Sequence, residues 1–301
     1  MQEQIKSFSQ LLDQVKKKKR KTLAICCAEG KEIIQAAKMA QDEGILNSIL
    51  IGNKDKIEKI FEDEGMDPGK AQIVDEKNPE LTPQVAVNLV KEKKADMLMK
   101  GKVSTAGLLK AVLDKGKGLR AGKLLSHVAV VEVKKYPKLM LVTDGGMNIR
   151  PDVTKKVEIL KNAIEVAKKL GIKKPKAACL TAVETVNPDM PETIDASVIT
   201  KMAEREDIKD VIVDGPLAFD VAVDKESARI KGIDSLIAGD TDIFLVPDIA
   251  SGNIMVKALI YLADAKVGGI VVGGGAPIVL LSRSDTARMK LFSMALGAAI
   301  C

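Results

Sequence analysis

VGGIVVGGGAPIVLLSRSDTARMKLF, residues 267–292, is the stretch from which the rest of the chain can be read. GIVVG and PIVLLS have the composition of two short buried strands, and SDTARMKLFSMALGAAI carries a helical apolar pattern. Ser282 and Arg283 stand at the junction. Ser284 or Asp285 is expected to cap the helix, whose first turn has unpaired N–H groups and the positive end of a dipole. Such a place favours an anion. Arg288, a cation in that first turn, opposes the dipole and argues for a negative ligand between it and Arg283. Gly273, Gly274 and Gly275 would let a ligand approach the backbone closely. The competing reading is a tight glycine turn, a solvated Ser-Arg loop and a cap with no ligand.

Working outward, strand-like and helix-like segments alternate from TLAICCA at Thr22 to DMLMKG at Asp96, the pattern of βαβ units around a parallel sheet. KVSTAGLLKAVLDKG follows, in which Ser104 or Thr105 can cap a helix at a strand's carboxyl end, where open α/β sheets place ligands. TDGGMNIRP, residues 143–151, interrupts the pattern before a long helix from Val153 to Leu170 and is the expected crossing between domains. The fold class expected is therefore α/β. Residues 1–149 with 277–301 would form one discontinuous domain and residues 150–276 a second. An amphipathic helix is expected over residues 2–21, with Lys16 to Lys21 at its C-terminal end.

A chain of 301 residues, 46% hydrophobic and 29% charged, can bury a large core, and its net charge of +6 favours small anions over a nucleic-acid surface. With no Trp, two Tyr and five Phe, it offers few platforms for stacking bases, so no nucleic-acid partner is expected. Cys26, Cys27, Cys179 and Cys301 show no CxxC spacing and read as reduced thiols. The N-terminus lacks a signal-peptide layout, and the uncharged run Val267–Ser282 is broken by five glycines and a proline. A cytoplasmic protein with no membrane partner is the expectation. His127, the only histidine, falls in an alternating strand and reads as a core or half-buried residue. No GxGxxG follows a strand, and GLRAGKL is not a P-loop, so nicotinamide and ATP chemistry lose ground.

KGKVSTAGLLKAVLDKGKGLRAGKLLSHVAVVEV, TDGGMNIRPD, GPLAFDVAV, LVPDIASGN with Lys257 downstream, and GGGAPIVLLSRSD together resemble the phosphate acyltransferases, the butyryl-transferring branch most closely. The resemblance spans nearly the whole chain. It implies reversible transfer of a short acyl group between coenzyme A and inorganic phosphate, with no metal and no cofactor beyond the coenzyme A thioester that is the substrate. It also implies two α/β domains with a cleft between them, like isocitrate and isopropylmalate dehydrogenases, in a homodimer or larger homo-oligomer. Ser282 and Arg283 match the family's catalytic Ser-Arg pair. Asp144, Asn148 and Pro151 match one motif, and Pro247, Asp248, Gly252, Asn253 and Lys257 another. Thr105 matches a threonine beside the phosphate, with Gly274 and Gly275 in the glycine turn.

Two positions depart from the pattern. Lys110 stands where the acetyl enzymes carry arginine, which loses a bidentate fork. Met289 stands where they carry an aspartate proposed as base. Other readings compete: a phosphate acetyltransferase, an acyl-carrier-protein phosphate acyltransferase or a decarboxylating dehydrogenase on the same fold, and a non-catalytic coenzyme A-binding regulatory domain.

Overall fold

A computed structural model describes residues 3–69, 71–280, 282 and 284–301. In chain order its elements are α1 Phe8–Lys16, β1 Lys21–Cys26, α2 Lys31–Asp42, β2 Leu46–Gly52, α3 Lys54–Asp63, β3 Gln72–Asp75, α4 Thr82–Lys91, β4 Met97–Lys100 and α5 Thr105–Val112. Next come β5 Ser126–Glu132, β6 Met140–Thr143, α6 Val153–Lys169, β7 Lys176–Leu180, α7 Pro191–Glu204, β8 Ile212–Leu217, α8 Phe219–Val223, α9 Lys225–Lys231, β9 Ile243–Leu245 and α10 Ile249–Leu262. The chain ends with β10 Lys266–Val272, β11 Ile278–Val279 and α11 Ala287–Ile300. This is a mixed α/β fold.

Two compact units divide these elements. One is Phe8–Lys123 with Gly268–Cys301; the other is Met1–Ser7 with Leu124–Val267. Both units are discontinuous, and the divisions fall elsewhere than at the expected 149/150 and 276/277. The reason is strand pairing. β5 and β6 form an antiparallel hairpin, and β6 pairs in parallel with β9, so the hairpin belongs with the later strands.

In the unit ending at Cys301, the strands run β3-β2-β1-β4-β11-β10. All neighbours are parallel except β10 and β11, so the glycine-rich stretch turns back on itself, and β11 slots beside β4 with Val279 opposite Met99. α11 is buried on every side from Leu291 to Ala299, as an all-apolar helix must be. Phe292 stacks on Phe8 of α1 with ring centroids 4.4 Å apart. α1 is shorter than the expected 2–21, because Ile5 leaves the helix to donate its N–H to the Leu170 carbonyl.

In the other unit the order is β5-β6-β9-β7-β8. Its core gathers Val131, Val142, Leu180, Leu217 and Phe244. α6 begins where expected, with the Asp152 side chain accepting from the Lys155 N–H, and α10 begins at Ile249, capped by Asp248. No helix among the described residues is long and apolar enough to cross a membrane.

Candidate active site

In the strand order β3-β2-β1-β4, the chain runs outward from β1 on one side and returns to β4 on the other. That reversal leaves a crevice at the strands' carboxyl ends, where open α/β sheets bind ligands. The cavity found there has a volume of about 290 Å³. Gly30 follows β1, Lys100 and Gly101 close β4, and Ser282 follows β11; all four line it. Lys102, Glu32 and Lys290 complete the polar wall.

The loop after β4 sits tight against the loop after β1. Gly101 and Lys102 donate N–H bonds to the Cys26 and Cys27 carbonyls, each at 2.9 Å. Gly30 is the N-cap of α2 and supplies no side-chain cap. Lys100, only 7% exposed, turns its ammonium to the Gly101 and Val103 carbonyls. Lys290, 5% exposed, donates to the Asp285 carbonyl. Burial pushes the Lys290 ammonium pKa down, against the opposing pull of Asp285 and Glu32. Three lysines against one glutamate give the wall an excess of positive charge, which favours an anion.

Ser282 is exposed, its Oγ 3.0 Å from that of Ser284, and its N–H donates to Asp285 Oδ2 at 2.9 Å. Asp285 thus braces the serine loop and does not cap α11. Thr286 is the cap, accepting from the Met289 N–H. The helix therefore starts later in the chain than the sequence pattern suggested. Arg288 also has partners of its own. It lies 3.8 Å from Glu43 Oε1 and 5.3 Å above the Phe292 ring, so it does not require a ligand to offset the dipole. Arg283 lies outside the described residues.

Other expected residues in this unit lie apart from the cavity lining. Ser104 caps α5, which leaves Thr105 as the first helical residue and Lys110 exposed in the last turn. Gly274 bridges Arg120, and the Gly275 N–H donates to the Leu119 carbonyl at 2.7 Å, so this glycine turn is packed on its own chain. Lys100 and Lys290 were not singled out from sequence. The signal available was a lysine at the end of MLMK and another within an otherwise apolar helix.

In the second unit, β6 and β9 are parallel neighbours, and the two remaining motifs follow their carboxyl ends. The Asp144 carboxylate is 2% exposed and accepts from the backbone of Gly146 and Met147 at 2.9 Å and from Asn148 Nδ2 at 2.6 Å. Asn148 donates onward to the Leu125 carbonyl at 2.9 Å. Asp248 accepts from the Ser251 N–H, which holds its carboxyl below the usual range. A Cβ on Gly252 would meet the Gly145 backbone at 2.8 Å, and Asn253 Nδ2 donates to the Gly145 carbonyl at 3.3 Å. The two motifs therefore interlock as scaffold. Lys257 lies half-buried on α10. His127 is half-buried in β5, its ring against Gly146. Replacing Asp144 with alanine leaves several half-buried N–H groups without their acceptor, so a loss of roughly 2 kcal/mol in denaturant unfolding is expected. Unchanged stability would mean that water replaces the carboxylate.

The family described as "Phosphate acetyl/butaryl transferase" matches residues 7–84 and 81–298. The chain is 45% identical over 296 residues to the phosphate butyryltransferase of Clostridium acetobutylicum, covering 98% of each protein. It is 39% identical over 291 residues to the phosphate acetyltransferase of Thermotoga maritima, covering 97% of this chain and 99% of that one. The crystal structure of a branched-chain phosphotransacylase from Enterococcus faecalis V583 aligns with a TM-score of 0.82 at 36% identity, over 93% of this chain and 98% of that one. With the cavity at the carboxyl ends of β1, β4 and β11, these matches make the chain a member of the phosphate acetyl/butyryl transferase family.

Proposed function

We propose that this protein is a phosphate butyryltransferase, converting butyryl-CoA and phosphate to butyryl phosphate and CoA by direct attack in a ternary complex. The observation that carries the reading is Ser282 in a small cavity with buried lysines, on a chain more similar to a butyryl than to an acetyl enzyme. A phosphate oxygen attacks the thioester carbonyl, the C–S bond breaks, and the proton of monohydrogen phosphate accounts for the thiol released. Ser282 Oγ–H meets the developing oxyanion, and Arg283 offers a bidentate grip on phosphate. Thr105, Lys110, Asp144, Asn148, Asn253, Lys257, Gly274 and Gly275 are the further residues we propose for phosphate and coenzyme A binding, Asp144, Asn148 and Asn253 by holding the loops they brace. Holding both substrates makes the attack effectively unimolecular.

A cysteine nucleophile is disfavoured, because burial pushes the Cys26 and Cys179 thiols up to about 12. The reaction uses no metal and no cofactor beyond its thioester substrate. We further infer a fold of the isocitrate/isopropylmalate dehydrogenase type and a cytoplasmic setting, which the buried free Cys26, Cys27 and Cys179 support. A homodimer or larger homo-oligomer is supported by α10, where Ile254, Tyr261 and Leu262 are 68%, 67% and 87% exposed along one helical stripe.

The test is phosphate-dependent release of CoA from butyryl-CoA in the presence of EDTA, with acetyl-CoA and an acyl-carrier thioester alongside. Turnover is expected to survive chelation and to favour butyryl-CoA. Preference for acetyl-CoA would select the acetyltransferase reading, for which the Thermotoga relative speaks. Complete loss with EDTA, restored by one divalent metal, would remove both.

A further inference from the structure

Lys290 is the one charged residue in the buried length of α11, which is otherwise apolar apart from Ser293, and it is only 5% exposed. One of its three N–H donors goes to the Asp285 carbonyl, and among the described residues it forms no ion pair. Asp285 and Glu32 pull on it only in part against the cost of burial, and a buried ammonium so weakly compensated is destabilising unless a ligand provides more negative charge. The open space beside it is the Ser282 cavity, whose wall also carries the buried Lys100 and the exposed Lys102 against a single acid, Glu32.

We propose that Lys290 binds the phosphate group of the reaction, its ammonium acting with that of Lys100 as counter-charge to the phosphoryl oxygens beside Ser282. The assignment rests on the acyltransferase reading of that cavity and adds a residue to it. Burial lowers the amine's proton affinity, and a phosphate dianion beside it offsets that effect, so the phosphate and the charged lysine stabilise each other. The chain then presents a cation one residue after Met289, where the acetyl enzymes' proposed base is missing. Its site works on the anion, not on a proton.

The test is calorimetric titration of inorganic phosphate into the full-length protein without coenzyme A, for wild type, Lys290→Met and Lys290→Gln. Wild type is expected to bind, and both variants to bind on the order of 10- to 100-fold more weakly, as the loss of a charge-assisted contact dictates. Glutamine keeps an N–H donor on a side chain one bond shorter and removes the charge. Thermal unfolding provides the second readout: Lys290→Met should not lower Tm, because removing an unpaired buried charge is neutral or stabilising. Unchanged phosphate affinity in both variants, or no binding to wild type, overturns the proposal. Weak binding in Lys290→Met with full binding in Lys290→Gln, together with a fall in Tm for Lys290→Met, also overturns it by assigning Lys290 to the Asp285 tether. Weakened binding in both variants, with wild type inert toward every acyl-CoA, would leave the phosphate site standing and remove the enzymatic reading instead.

Discussion

Replacing Ser282 with alanine is expected to lower kcat for butyryl-CoA phosphorolysis by about 100-fold while both KM values stay near wild type. The hydroxyl is exposed and, among the described residues, bonded only to the neighbouring Ser284 Oγ at 3.0 Å, so its removal leaves no buried group of theirs unsatisfied. Its backbone N–H keeps the Asp285 carboxylate in the variant, and the loop keeps its brace. What is lost is one donor toward a carbonyl oxygen that becomes charged only in the transition state. Arg283→Ala gives the contrasting pattern, because phosphate is charged in ground and transition states alike: its KM rises and kcat falls. Steady-state kinetics on both variants checks the split. Nearly full kcat in Ser282→Ala would reduce the serine to a loop residue, and an acyl-serine accumulating in wild type without phosphate would end the direct-transfer mechanism.

The second large effect is on stability. A Cβ at Gly101 would lie 2.2 Å from the Cys27 carbonyl oxygen and 2.3 Å from that of Cys26, distances that no side-chain rotation can relieve because both atoms are backbone. Gly101→Ala must therefore separate the loops that follow β1 and β4, breaking the two 2.9 Å hydrogen bonds between them. Overpacking against rigid backbone costs roughly 3 kcal/mol at this severity. The expected result is a fall in Tm of several degrees, on the order of 2–4 °C per kcal/mol for chains of this size, and a loss of activity as Lys100 and Lys102 are displaced from the cavity wall. Because the chain has two compact units, unfolding should be followed by circular dichroism and by activity loss together. A variant with wild-type Tm would show that the loops have room to part.

Much of the fold was legible residue by residue. The alternation from Thr22 to Asp96 became β1 to β4 with their helices, and Asp152 capped the helix expected after it. Ser282, which follows an apolar strand and precedes a helix in the sequence, lines the cavity, while Arg283 lies outside the described residues. The cap was misplaced by the same local logic: Ser284, Asp285 and Thr286 are all good N-cap residues, and which one takes the role depends on where Asp285 finds a better donor. It finds the Ser282 N–H. Arg288 misled for a similar reason, because Glu43 comes from the end of α2, far away in sequence.

Periodicity, capping residues and glycine turns act between neighbours in the chain, so the sequence alone determined the succession of strands and helices and the motifs that mark the family. Tertiary structure decided what those motifs do. Insertion of β11 beside β4 brings Ser282 to Lys100, parallel pairing of β6 with β9 locks Gly145 against Gly252, and the packing of α11 buries Lys290 beside an open cavity. Pairing partners and burial are fixed by the free energy of the whole packed core, not by local preference, and so no single stretch of sequence carries them.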